Sequence, residues 1–254
     1  MFVMHRSPLL LRRVVRDRRG VALIEFAMVM PVLLLLGLGG LELANYVSAN
    51  LRLSQITMTV ADNAGRVRTS IDEADINELM IGAKKIGEPI NFAANGRIIL
   101  SDLEQRTDTT GGATTITTTN PNGYRQWIRW QRCAGALAVT SSYGVPLNSN
   151  GAAVTDISNT TNADHGAVET KSLITGMGPS TNMISAATGT AVMVAEVVYV
   201  YQPIVPINYL GTLTIRRLQA FNVRQRTTYP LRNDGGLSGA SRSDCRLNSS
   251  AVPS

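Results

Sequence analysis

VALIEFAMVMPVLLLLGLGGL, residues 21–41, is a run of 21 residues with one ionisable side chain, Glu25. At 1.5 Å per residue a helix of that length covers the ~30 Å of a bilayer's hydrocarbon. The competing reading is a buried helix of a soluble core, but such helices rarely run this long with apolar residues on every face. The stretch therefore predicts one membrane-spanning helix.

The flanks orient it. Residues 1–20 hold Arg6, Arg12, Arg13, Arg16, Arg18 and Arg19 against Asp17, a net charge of +5, whereas only Arg52 follows the apolar run closely. Arginine concentrated on one side keeps that side in the cytoplasm. A cleavable secretory signal is the rival, because Val47-Ser48-Ala49 resembles a small-residue cleavage site. Against it, the apolar region is too long for a signal and contains a glutamate and a proline.

The overall charge of +6 leaves only +1 for the chain after the leader. A basic tip on a near-neutral body offers no broad phosphate-tracking surface, and no zinc-finger, RNP-like or P-loop pattern accompanies it, so no nucleic acid is expected as a partner. Two cysteines, Cys133 and Cys245, are too few for a disulfide scaffold and wrongly spaced for zinc. In an oxidising compartment they allow one disulfide.

Beyond the membrane, Ala49, Leu53, Ile56, Val60, Ala64 and Val67 recur at steps of three and four, so the helix is expected to continue into water with one packing stripe. Ser70 and Glu73 suggest a capping box opening a second helix, lined by Ile76, Leu79, Met80 and Ala83 and closed by Gly87 and Pro89. From Gly96 the character changes to extended runs, residues 97–103, 124–132, 191–201 and 212–226, which predict an antiparallel sheet packed on the long helix. Arg216-Arg217 interrupts the alternation of the last run and predicts a bulge or bend there. Residues 107–123 and 147–166 are polar and of low complexity and read as loops, and 234–254 as a flexible tail.

Catalytic chemistry has little to work with. The histidines are His5, in the leader, and His165, in a polar loop-like context, where a solvated side chain is the default. Asp72, Glu73, Asp75 and Glu78 are read as favourable charges at a helix N-terminus and on its wet face. Trp127 and Trp130, interleaved with arginines, could form a base-stacking platform, but regular strand alternation puts the rings on opposite faces and favours core packing. No metal site and no cofactor is expected.

Glu25 stands apart, since a carboxylate in hydrocarbon costs up to about 2.5–3.5 kcal/mol at a helix centre and is a functional signal by default. The plain alternative is a glutamate snorkelling to the cytoplasmic interface. It is the fifth residue after Gly20, itself preceded by Arg18-Arg19. Basic leader, glycine, apolar run and glutamate at the fifth place make the layout of a type IV prepilin. The finer pattern RRGVALIEFAMVMPVLLLLGLGGLELA resembles the TadE-like family of tight-adherence (Flp) pilus assembly proteins, over about residues 18–60.

That resemblance implies cleavage by a prepilin peptidase after Gly20, leaving Val21 as the new N-terminus and Glu25 in the mature helix. Glu25 would then partner its own or an adjacent subunit's amine, and Pro31, which also matches, would kink the helix. The expected organisation is a leader at 1–20, a transmembrane helix at 21–41, a periplasmic α+β, pilin-like domain at 42–233 and a tail at 234–254. The expected function is a non-enzymatic minor pseudopilin of the bacterial inner membrane. Its partners would be membrane lipid, the peptidase, other pilins or pseudopilins and the assembly platform. The alternatives are a membrane-anchored envelope-binding protein unrelated to pili and an anchored periplasmic hydrolase.

Overall fold

The computed structural model of the chain describes residues 19–106, 125–146, 176–205 and 211–249. The apolar stretch belongs to one helix, α1 (Arg19–Arg66), 48 residues without a break at Pro31, and about 70 Å long at the standard rise. The leader through Arg18, both histidines and the loops at 107–123 and 147–166 lie outside the described residues. Among those described, α1 is the one helix long and apolar enough to cross a membrane.

Two compact units divide the chain. Residues 19–47 of α1 and residues 203–205 form one, and the remaining described residues form the other. The first unit ends six residues past Leu41, and Pro203–Val205 group with it rather than with the strands they connect. The reason is local: Glu42 Oε2 accepts hydrogen bonds from the amides of Ile204 at 2.9 Å and Val205 at 3.1 Å. In this unit the apolar side chains of α1 lie open, Leu35 with 74% of its surface accessible.

The second unit starts where α1 becomes amphipathic. Ala49, Leu53, Ile56, Val60, Ala61 and Ala64 are buried, at the three-and-four spacing that sets one helix face against a partner. Asn50 and Gly65 mark the line of contact. Arg217 donates to Asn50 Oδ1 at 2.5 Å, and a Cβ at Gly65 would lie 3.6 Å from Phe221 Cβ.

Strand β1 (Thr69–Asp72) pairs in parallel with β6 (Arg226–Arg232). Because Ser70 is committed to this strand, the capping box shifts two residues downstream of the expected one. Asp72 accepts from the amide of Ala74, and Asp75 accepts from the amide of Asp72. Helix α2 (Glu73–Gly87) follows and ends at the expected glycine. A 3-10 turn (Glu88–Ile90), a left-handed Asn91 and the single turn α3 (Phe92–Asn95) lead into the sheet.

The main sheet is antiparallel in the order β3-β2-β4-β5, with β2 (Gly96–Arg106), β3 (Arg125–Ala134), β4 (Ala191–Val200) and β5 (Thr214–Asn222). An N-terminal apolar helix followed by this sheet and its short helices is the expected α+β arrangement. β5 pairs with β4 without interruption from Asn222 to Thr214, so the expected bulge at Arg216-Arg217 is absent. The phase change has another origin. Ile215 is buried on one face of the sheet, while Leu218 and Ala220 join a cluster with Leu103, Ile128, Met177, Val192 and Val194 on the other. A sheet covered on both sides shows apolar residues in both phases.

The bulge sits instead in β3. Asp102 faces Trp130, Leu103 faces Ile128, and Arg129 is left between them. One extra residue reverses the alternation, so Trp127, opposite Glu104, stands on the same face as Trp130. The expected separation of the two rings is corrected, yet both are buried and form no open platform.

Residues 237–249 run beside β3, and here the expectation of a flexible tail gives way to packed chain. The amide of Cys133 donates to Ser243 O at 2.9 Å, Gly135 bridges to Ser249, and Cys133 and Cys245 form a disulfide. Composition reports the few bulky apolar groups of this segment, but the segment is held by backbone and charged hydrogen bonds. Its Ser243 carbonyl takes an amide at the end of the edge strand β3 that would otherwise be unpaired.

Candidate functional site

The residues singled out on the apolar half of α1 occupy a simple geometry. Gly20 is in the first helical turn, and a Cβ placed on it would meet nothing within 4 Å. Val21 and Glu25 are four residues apart, which puts them on one helix face about 6 Å apart along the axis. Both are exposed. Pro31 lies further along the same continuous helix. Gly37, Gly39 and Gly40 likewise have open space at the Cβ position, the surface that permits close approach of another helix. The helix therefore presents a carboxylate, a proline and three glycines at exposed positions.

In the second unit the buried charges are used internally. Glu73, fully buried at the start of α2, accepts from Arg132 Nε at 3.1 and 3.0 Å and also from Arg132 Nη2, with Arg242 Nη1 3.8 Å away. The reading of Glu73 as a charge on a wet helix face is thereby corrected, because it neutralises arginines from β3 and the C-terminal segment. Asn77, one turn on, donates to Ser241 O and accepts from Ser243 Oγ, both at 2.8 Å. Arg97 reaches the carbonyls of Gly135, Leu247 and Cys245 at 2.8, 2.6 and 2.5 Å. Burial pulls its guanidinium below its usual range, and Asp244 counters this in part. These groups tie the C-terminal segment to α2 and β2.

A second set lies on either face of the sheet. Glu196, buried, accepts from Ser141 Oγ at 2.7 Å, from the Ser142 amide and from Arg216. Arg129 pairs with Glu104 at 3.0 Å and stacks 5.2 Å from the centre of the Trp127 ring. Burial also lowers Arg226, opposed chiefly by Asp102 and then Glu104. Sequence reasoning missed all of these partnerships, since nothing in periodicity or spacing links residues as far apart as Glu73, Arg132 and Arg242.

Among the described residues no group of three or more His, Cys, Asp or Glu side chains could hold a metal ion. Open hollows mark the surface of the second unit. One, of about 360 Å³, is lined by Ile81, Lys84, Lys85, Glu88 and Phe92, and another, of about 290 Å³, by Arg66, Arg68, Arg224 and Gln225.

Residues 20–62 match the family model described as TadE-like protein. The matched segment covers most of α1, so the family signal lies on the helix and stops four residues before the helix ends at Arg66. No curated protein and no solved structure matches the chain.

Proposed function

We propose that this chain, TadE-like over its long helix, is a non-enzymatic minor pseudopilin of tight-adherence (Flp, type IVb) pilus assembly. The family match supports a place in pilus assembly and association with other pilus components. The finer reading places the helix in the bacterial inner membrane with the leader in the cytoplasm and the α+β domain in the periplasm. The observation that carries it is one uninterrupted helix with two surfaces: an exposed apolar half bearing Gly20, Val21 and Glu25, and a half packed into a folded domain. That is the form of a subunit that docks laterally through its helix and displays its domain.

In this reading a prepilin peptidase cuts after Gly20 and Val21 becomes the N-terminus. The new ammonium and the Glu25 carboxylate each resist desolvation by lipid, and pairing them offsets part of both costs while fixing the register of neighbouring helices. Four-residue spacing permits the pair within one chain, and an exposed face permits it between chains. Pro31 frees the carbonyl of Ala27 by lacking an amide hydrogen. Lipid, the peptidase, other pilins and the assembly platform are the partners, and no cofactor is required.

Intact-mass measurement of protein made with and without the peptidase tests the reading. The expected result is loss of residues 1–20 only when the peptidase is present, and no loss in Gly20→Glu, where a bulky charge replaces a bare backbone position. An uncut wild-type chain would instead favour an envelope-binding protein unrelated to pili.

A further inference from the structure

Pro203–Val205 belongs with the membrane helix rather than with the domain whose strands it connects. It is held there by Glu42, the residue directly after the apolar run ends at Leu41. A single carboxylate oxygen, Glu42 Oε2, takes the amides of both Ile204 and Val205. Pro203 has no amide hydrogen, and by sequence neither has Pro206. Along these four residues, therefore, no backbone donor is left that needs water.

The side chains match the backbone. Ile204 is 62% exposed, and on the helix Leu41 and Leu43, on either side of Glu42, are 59% and 64% exposed. From Val197 through Ile215 the chain contains no charged residue. Irregular backbone is normally kept out of lipid because its polar groups go unpaired. Here the donors are removed by proline or satisfied by one side chain, at the level where a helix spanning residues 21–41 leaves the hydrocarbon.

We infer that Pro203-Ile204-Val205 is a second membrane contact, an apolar tip held by Glu42 at the outer edge of the hydrocarbon, whose partner is the lipid surface itself. It would give the chain two points of attachment on the domain side of the bilayer, the helix and the tip. This rests on the reading of α1 as a membrane anchor, and the test separates the two.

The full chain, reconstituted in phosphatidylethanolamine–phosphatidylglycerol vesicles, is spin-labelled at Ile204→Cys, at Leu34→Cys within the span and at Ile81→Cys on the exposed surface of α2. Oxidised Cys133 and Cys245 do not take the label, and unsubstituted protein serves as the blank. Collision with oxygen, which partitions into lipid, is compared with collision with a water-soluble nickel chelate. Position 204 should favour oxygen severalfold more than position 81 and approach position 34. Glu42→Ala should return position 204 towards the value at 81. If position 34 favours oxygen while 204 behaves like 81, the inference fails and the anchor stands. If position 34 itself behaves like 81, the anchor reading fails. Shielding of 204 from both reagents means that protein covers the tip, which overturns lipid as its partner. An unchanged 204 in Glu42→Ala overturns the tether.

Discussion

The two halves of α1 share one backbone and opposite surfaces. Up to Val47 the large apolar residues lie open on every side, and from Ala49 a narrow stripe is buried while the other positions are mostly polar, with Leu51 and Met58 exposed among them. Charge follows the same division. In the domain, Glu73, Glu104 and Glu196 each meet an arginine, whereas Glu25 stands exposed on the first half. The comparison teaches that helix geometry alone does not say what an apolar residue is for. The same leucine is core when a sheet lies beside it and membrane surface when lipid does, and a carboxylate is structural where its partner is built in.

The largest effect should come from the structural carboxylate. Glu73→Ala leaves Arg132 and Arg242 buried without their anion, and breaking a buried pair costs about 3–5 kcal/mol. Denaturant unfolding of the full-length protein in detergent, followed by the near-ultraviolet signal of Trp127 and Trp130, measures this. A loss under about 1 kcal/mol, the scale of an exposed pair, would show that the cluster does not hold the C-terminal segment in place.

Next comes a direct contrast between the halves. Leu53→Ala removes a fully buried side chain and should cost about 2–5 kcal/mol in the same experiment. Leu35→Ala, on the open half, should stay within about 0.5 kcal/mol. Equal effects at the two positions would break the distinction on which the membrane assignment rests.

How far the sequence revealed these features depends on how local their causes are. The long apolar helix, the stripe from Ala49 to Ala64, the end of α2 at Gly87 and the four strands of the main sheet are set by periodicity and composition within short windows, and they were legible. The pairing of β1 with β6 was not, because parallel partners more than 150 residues apart leave no local trace, and it moved the helix cap from Ser70 to Asp72. The bulge at Arg129 was hidden for the related reason that alternation is read assuming regular pairing. The C-terminal segment looked loose because composition counts apolar groups, while Arg97, Asn77 and Ser243 hold it through hydrogen bonds. Of the candidate site, Gly20, Val21, Glu25 and Pro31 were singled out by the leader-to-glutamate layout and the resemblance it carries, and the structure adds that all four lie on the exposed half of one helix. The Glu42 tether was not, since its donors lie 162 residues away in sequence.

The smallest effect on folding is expected from the carboxylate on the open half, and it sharpens the comparison most. Glu25→Ala removes an exposed side chain, so the unfolding midpoint of the detergent-solubilised protein should not move. Insertion should be retained, because taking a charge out of an apolar stretch favours the bilayer. Peptidase cleavage after Gly20 should persist as well, since the substitution alters the retained helix and not the cut bond. What should fall is crosslinking to partner pilins in the membrane, where a neighbour's N-terminal ammonium loses its carboxylate in a medium with no water to replace it. Gel mobility reports processing and crosslink yield reports association, so the two are read in one sample. If Glu25→Ala is processed and crosslinks as well as the wild type, Glu25 is a residue snorkelling to the interface, and the register of the assembled helices must be set elsewhere, with the open glycine surface at Gly37, Gly39 and Gly40 the next place to substitute.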